Sequence, residues 1–227
     1  MSANTPEDLQ RIYGARFSDN LEYRKKVWSV LVGDWFGKFV RPSDAVLDLG
    51  CGYGEFINTV QCVMKFAMDL NPDAPRFLNK DIQFLLQDCS ARWELPDASL
   101  DVVFTSNFFE HLPDKAALGR TLDEIRRCLR PGGHLIAMGP NIKYLPGEYW
   151  DFWDHYVALT EASMKEALVT RGFEVKVCLP KFLPYTMASG PRYPLAFLRA
   201  YLKLPLAWAI FGRQFLIVAN AGHRLPH

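Results

Sequence analysis

The run Ala45-Val-Leu-Asp-Leu-Gly-Cys-Gly-Tyr-Gly-Glu55 decides how the rest of the chain is read. Its first five residues are an apolar run too short for a helix and closed by glycine, the pattern of a buried strand. Gly50, Gly52 and Gly54 follow at alternate positions, so the backbone can turn tightly and come close to a ligand. A helix opening after such a turn offers N–H groups to a carboxylate or phosphate. The third glycine comes one place too early for the G-x-G-x-x-G dinucleotide fingerprint, and Glu55 stands where that glycine would be. A carboxylate there opposes a pyrophosphate, which argues against NAD and FAD.

Outward from this run, short apolar stretches alternate with helical ones. Lys65–Asp69, Ile82–Gln87, Asp101–Ser106, His134–Met138, Phe173–Leu179 and Gln214–Asn220 predict six further strands. Leu118, Leu122, Ile125 and Leu129 share one helical face, and Pro131-Gly132-Gly133 ends that helix. Thr160 predicts the N-cap of another helix running to Thr170, and Val27–Val40 a helix that stops at Arg41-Pro42. The expected architecture is therefore α/β: a Rossmann-like, seven-stranded, mostly parallel sheet with helices on both faces, N-terminal helices and an insert before the last strand. Such sheets bind ligands beyond the carboxyl ends of their strands, where strand order reverses.

Composition narrows the class. The 227 residues carry 26 Lys+Arg against 25 Asp+Glu, and a net charge of +1 gives no global attraction for nucleic acid. Five widely spaced cysteines without C-x-x-C predict reduced thiols and a cytoplasmic protein. The polar stretch Met1–Gln10 predicts no secretory leader, and no run of 18 uncharged apolar residues predicts a membrane span.

Acidic residues follow the second and third strands. Asp69 is placed to accept hydrogen bonds from both hydroxyls of a ribose, and Asp88 to accept from the exocyclic amine of adenine. With the glycine turn, these residues and the later Phe108-Phe-Glu-His-Leu-Pro-Asp114 and Leu129-Arg-Pro-Gly-Gly-His-Leu135 resemble class I S-adenosylmethionine-dependent methyltransferases. The resemblance is strong over Ala45–Met138. It implies that S-adenosylmethionine is the cofactor. It also implies that Asp48, Gly50, Cys51 and Gly52 hold its methionine part and that Asp69 takes the ribose hydroxyls. Leu70 then flanks the adenine, Asp88 and the Cys89 backbone hold the adenine amine, and Asn107 and Phe108 sit near the sulfonium. Residues 1–227 then form a single domain: an N-terminal helical cap (1–44), a cofactor-binding core (45–140), acceptor-side elements with a helical insert (141–213) and the last strand (214–220).

The acceptor side is less determined. An acceptor hydroxyl needs a general base, and histidine is the easiest base near neutral pH. His111, past the fourth strand, and His155, in the aromatic-rich segment after the fifth, are the candidate catalytic residues. Asp154 is not expected to form a dyad with its neighbour His155. No metal is expected, Asp151 and Asp154 reading as solvated or structural carboxylates. The segment Asn141–Tyr156 carries Tyr144, Tyr149, Trp150, Phe152, Trp153 and Tyr156 and is expected to bind the acceptor or act as a lid.

In the insert, Leu195, Leu198, Leu202 and Leu206 are placed on one face, and Arg192, Arg199, Lys203 and Arg213 add positive charge. Three readings stay open for residues 192–213: contact with a membrane or lipid-linked substrate, a homodimer contact, or packing on the core. The resemblance points to a small-molecule acceptor such as a sugar, lipid or natural product, with an oxygen nucleophile and no nucleic-acid partner. The competing readings are a non-catalytic protein of the same fold acting as a partner or scaffold and, disfavoured by the glycine spacing, a nicotinamide-dependent oxidoreductase.

Overall fold

The structure, a computed structural model, describes residues 21–185 and 192–222. The expectations for residues 1–20, 186–191 and 223–227 lie outside the described residues. The strands, in chain order, are β1 (Ala45–Leu49), β2 (Met64–Asp69), β3 (Ile82–Leu86), β4 (Leu100–Ser106), β5 (Leu129–Pro140), β6 (Phe173–Leu179) and β7 (Gln214–Ala221). They form one sheet in the order β3-β2-β1-β4-β5-β7-β6. β1 lies parallel between β2 and β4, Leu47 pairing with Phe66 on one side and Val103 on the other. β7 runs antiparallel to both β5 and β6. Strand order reverses between β1 and β4, so the loops following these two strands open on the same crevice.

Burial on both faces explains the near-continuous apolar strands. Along β1, Leu47 and Leu49 face one hydrophobic core while Val46 faces the other. The first core is closed by α3 (Lys115–Cys128) and α4 (Glu161–Val169), through Leu118, Leu122, Ile125, Met164 and Leu168. Asp114 caps α3 by accepting from the Ala117 N–H, and Thr160 with Ser163 closes a capping box on α4. The second core is closed by α1 (Leu21–Asp34), α2 (Glu55–Thr59), α5 (Leu195–Leu202) and α6 (Pro205–Phe211). At its centre the Phe56 and Phe104 rings stack with centroids 3.7 Å apart.

Three sequence expectations are corrected. The N-terminal helix lies earlier, at Leu21–Asp34, and a 3₁₀ turn at Phe36–Phe39 replaces its expected end. The chain tightens there so closely that a Cβ on Gly37 would lie 2.7 Å from the Val32 carbonyl oxygen. Leu129 is the first residue of β5, not the last of a helix, and pairs with Leu100 before the register shifts to Val102–His134. Pro131-Gly132-Gly133 therefore forms an irregularity within the strand, with Gly132 at φ +82°. In the insert, Leu195, Leu198 and Leu202 turn inward as expected, but Leu206 is 82% exposed. Pro205 starts a new helix there, so the periodicity of α5 does not carry through.

Candidate active site

The turn after β1 is built from backbone hydrogen bonds. The Gly50 and Cys51 N–H groups both donate to the Met68 carbonyl, at 2.9 and 3.1 Å. Gly50 has φ +67°, and a Cβ there would lie 2.2 Å from the Phe108 ring, so only glycine fits between β1 and the loop after β4. Asp69 braces the same turn from the end of β2. One of its carboxylate oxygens accepts from the Gly52 N–H at 2.9 Å, the other from the Asn71 N–H at 2.9 Å. Asp48, at the end of β1, accepts from the backbone of Ile57 in α2.

Asp48, Gly50, Cys51 and Gly52 line a cavity of about 590 Å³ together with Glu55, Asn107, Glu110, His111 and His155. Burial and the nearby charge of Glu55, with a smaller contribution from Asp69, hold the Asp48 carboxyl well above the usual range. Arg24 of α1 makes an ion pair with Glu55 at 2.6 Å. Asp48 and the Arg24-paired Glu55 give this end of the cavity an acidic lining, whereas Asp69 is not among its lining residues. That lining suits a ligand carrying an ammonium and a sulfonium, and it agrees with the exclusion of a pyrophosphate.

Asp69, Leu70, Asp88 and Cys89 are not among the residues that line this cavity. Asp88 accepts from the Ser90 N–H at 2.8 Å, which shapes the loop after β3. The Cys89 carbonyl accepts from the Trp93 indole at 2.8 Å, and its thiol packs against Thr121, burial pushing it up to about 12. All five cysteines are free. Asn107 is exposed at the cavity edge with φ +51°, whereas Phe108 backs the glycine turn and does not line the cavity.

The acceptor end is assembled by two segments far apart in sequence. Glu110 and His111 belong to a 3₁₀ turn after β4. The Glu110 carbonyl accepts from the Tyr156 and Val157 N–H groups at 2.9 and 3.1 Å, tying the aromatic segment to β4. That tie brings the His111 and His155 rings to 4.9 Å, edge to face. Asp154 reaches His111, placing its carboxylate 3.2 Å and its carbonyl 2.9 Å from Nδ1. Nε2 is thereby left facing Glu110, 3.9 Å from Oε1.

Electrostatics at this end is unusual. Burial pushes the Glu110 carboxyl up to about 7, the nearby His111 opposing this in part. Burial alone would lower the His111 pKa, but the hydrogen bond that its ring donates to Asp154 and the charge of Glu110 outweigh it and the net shift is upward. Both Glu110 carboxylate oxygens are buried without a hydrogen-bond partner among the described residues.

The aromatic segment divides. Phe152 lines the cavity, and its ring stacks on His155 at 4.9 Å. Tyr149 is fully buried and its hydroxyl donates to the Val157 carbonyl. Trp150 and Trp153 point outward, Trp153 being 86% exposed. Opposite, Tyr193, Phe197, Leu198 and Tyr201 of the insert join Tyr23 and Trp28 of α1 in the cavity wall. Tyr23 and Tyr193 exchange hydrogen bonds at 3.0 and 3.1 Å, which fastens insert to helix.

Sequence reasoning missed Arg24, Glu110 and the true partner of Asp154. Glu110 carried a signal, an acidic residue directly before a candidate base just past a central strand. Arg24 carried none, because only the packing of α1 brings it to the cavity.

A family model described as a methyltransferase domain matches residues 47–137. A Mycolicibacterium smegmatis protein described as a probable S-adenosylmethionine-dependent methyltransferase is 34% identical over 178 residues, covering 75% of this chain and 68% of the relative. Macaca mulatta phenylethanolamine N-methyltransferase is 38% identical over 80 residues, 34% of this chain and 27% of that protein. Among solved structures, a SAM-dependent methyltransferase from Archaeoglobus fulgidus superposes with a TM-score of 0.64 at 19% identity, covering 88% of this chain and 97% of that one. At that identity the likeness concerns fold alone. The chain belongs to the class I S-adenosylmethionine-dependent methyltransferases. Its cofactor is S-adenosylmethionine, to which the tight turn at Gly50–Gly52 in the cavity wall is suited.

Proposed function

We propose that this methyltransferase methylates a hydroxyl group of a small-molecule acceptor that has an apolar portion. The observation that carries this reading is the Asp154–His111 pair: a carboxylate 3.2 Å from Nδ1 fixes the ring so that Nε2 faces Glu110 and the cavity shared with His155. Such an orienting carboxylate is how a histidine is set up for proton handling. A carboxylate or thiolate acceptor would need no such device.

On the cofactor side, Asp48, Gly50, Cys51 and Gly52 hold the methionine portion. Asp69 receives the ribose hydroxyls on the lone pairs that Gly52 and Asn71 leave open, and the acidic lining meets the cationic groups. Leu70 flanks the adenine, and Asp88 with the Cys89 backbone holds its amine. Asn107 stands at the sulfonium, and Phe108 acts there through Gly50. When bound, the cofactor supplies an activated methyl group and leaves as a neutral thioether. Position is then the main contribution of the chain, worth about 7–11 kcal/mol when alignment is correct. The acceptor hydroxyl must lose its proton on methylation, and the cluster around His111 and His155 would promote that loss.

The insert supports the apolar portion of the acceptor. Phe197, Leu198, Tyr193 and Tyr201 line the cavity, while Leu206, Ile210 and Phe211 are exposed, as are Arg199 and Lys203 of the same insert. An apolar face with basic residues suits the surface of an anionic membrane. No helix among the described residues is long and apolar enough to cross one. The small-molecule acceptor of phenylethanolamine N-methyltransferase, named for that relative, agrees in class.

The test is a panel of hydroxylated acceptors, including glycosides and lipophilic alcohols, read by release of the demethylated cofactor. Turnover with hydroxyl acceptors supports the proposal; turnover confined to amines, thiols or carboxylates overturns the oxygen assignment. Calorimetry showing no binding of cofactor or product would favour the scaffold reading.

A further inference from the structure

We propose that Glu110, His111 and His155 bind a divalent transition-metal cation at the acceptor end of the cleft. The sequence expectation is that no metal binds, Asp151 and Asp154 reading as solvated or structural carboxylates; Glu110 and His111 are adjacent, but His155 lies 44 positions further on. Folding changes the grouping. The three side chains each present one ligand atom, and these atoms all lie within 4.8 Å of one another. Two ligands at about 2.1 Å from one ion are at most about 4.2 Å apart. The widest pair therefore closes by roughly half an ångström, within reach of a side-chain rotation.

Three independent observations point to a ligand. Glu110 is 1% exposed, with both carboxylate oxygens lacking a hydrogen-bond partner among the described residues. A buried carboxylate in that state is costly unless something cationic meets it. His111 has its Nδ1 occupied by Asp154, which leaves Nε2 as the ligand atom, the carboxylate–histidine–metal arrangement that orients ligands in metalloproteins. All three residues also line the open cavity, so further coordination positions stay available to the acceptor. Two imidazoles and one carboxylate favour zinc, manganese, iron or cobalt over magnesium or calcium, which prefer all-oxygen sites.

The inference rests on reading this end of the cleft as the acceptor side, and it deepens that reading. The cluster lowers the cost of removing the acceptor proton by holding a Lewis acid, which lowers the pKa of a bound hydroxyl. The released proton goes to solvent, and His111 and His155 serve as ligands.

The test uses the full chain stripped with EDTA and titrated with CoCl2, followed by visible absorption, and with ZnCl2, followed by calorimetry. One saturating equivalent with cobalt d–d bands is expected. Glu110→Gln and His155→Asn should each weaken binding at least tenfold, while the demethylated cofactor binds within about twofold of wild type. That second measurement shows that the variants are folded. Absence of saturable binding in the wild type, or equal affinity in both variants, overturns the site. If no ion binds but His111→Ala still loses turnover, the metal site falls and the oxygen-acceptor reading stands. If an ion binds but only non-hydroxyl acceptors are methylated, the metal site stands and that reading falls.

Discussion

The two ends of the cleft are built on opposite plans. At the cofactor end the polar groups already hold one another: Asp69 bridges Gly52 and Asn71, Asp48 reaches the Ile57 backbone, and Arg24 pairs with Glu55. Internal hydrogen bonds thus fix the shape of the turn. At the acceptor end Glu110 is buried with both oxygens lacking a hydrogen-bond partner among the described residues, and two histidines stand edge to face beside it. One end is pre-organised for a fixed cofactor; the other keeps strong polar groups in reserve for chemistry. Buried polar groups are normally satisfied, and exceptions concentrate where something binds or reacts.

Breaking each end separately should show the contrast. The largest effect is expected at the acceptor end, where His111→Ala lowers turnover about 10²–10⁴-fold, the usual range for lost proton handling, with cofactor affinity nearly unchanged. Steady-state kinetics alongside calorimetry with the demethylated cofactor checks this. A parallel collapse of cofactor affinity would erase the division. Asp154→Asn should reproduce part of the loss by removing the carboxylate charge beside Nδ1, the contact with the backbone carbonyl remaining.

At the cofactor end, Asp69→Ala should weaken cofactor binding about 10–150-fold, the equivalent of roughly 1.5–3 kcal/mol for a charged hydrogen-bonding group. Gly50→Ala should do at least as much damage, because its Cβ would meet the Phe108 ring at 2.2 Å in a backbone conformation that disfavours side chains. Gly50→Ala paired with Phe108→Ala should recover part of the affinity, and no recovery would show that strain, not the clash, dominates.

Stability should show the same contrast through pH. Glu110 has a folded-state pKa near 7, above its ordinary value of 4.5, so the folded state holds this proton more tightly than the unfolded chain. Its ionisation therefore costs stability progressively as pH rises from about 4.5 to 7, and costs nothing below that window. The gap between metal-free wild type and Glu110→Gln should widen in favour of glutamine by on the order of 3 kcal/mol between pH 4.5 and 8. Thermal melts across pH test this; a constant gap would mean that Glu110 is not buried as described. The smallest effect is expected for Trp153→Ser. Its ring is 86% exposed, so both melting temperature and turnover should stay near wild type, separating it from the cavity-lining Phe152.

Legibility along the chain follows the same division. β1, its glycine turn and Asp69 could be read because each depends on neighbours close in sequence: an apolar run, a turn that needs glycine, an acid at a strand end. The face of α3 was legible through its spacing. Leu129 was misassigned because the same apolar residue serves a helix face or a strand start equally well, and pairing with Leu100 settled it. Leu206 was misplaced because Pro205 resets the helix axis. The contact between Asp154 and His111 was not legible, because the two lie 43 positions apart.

The amino-acid order alone thus determined the α/β architecture and the crevice at the strand reversal, since these arise from period, turn chemistry and residues a few positions apart, while the kind of cofactor came from the family resemblance that those motifs carry. Tertiary structure alone decided that Asp154 orients His111, that Arg24 meets Glu55, and that Glu110 joins two histidines in a buried cluster. Those contacts join segments separated by tens of residues. Their geometry is set by how helices and loops pack over the sheet, and no local pattern encodes that packing.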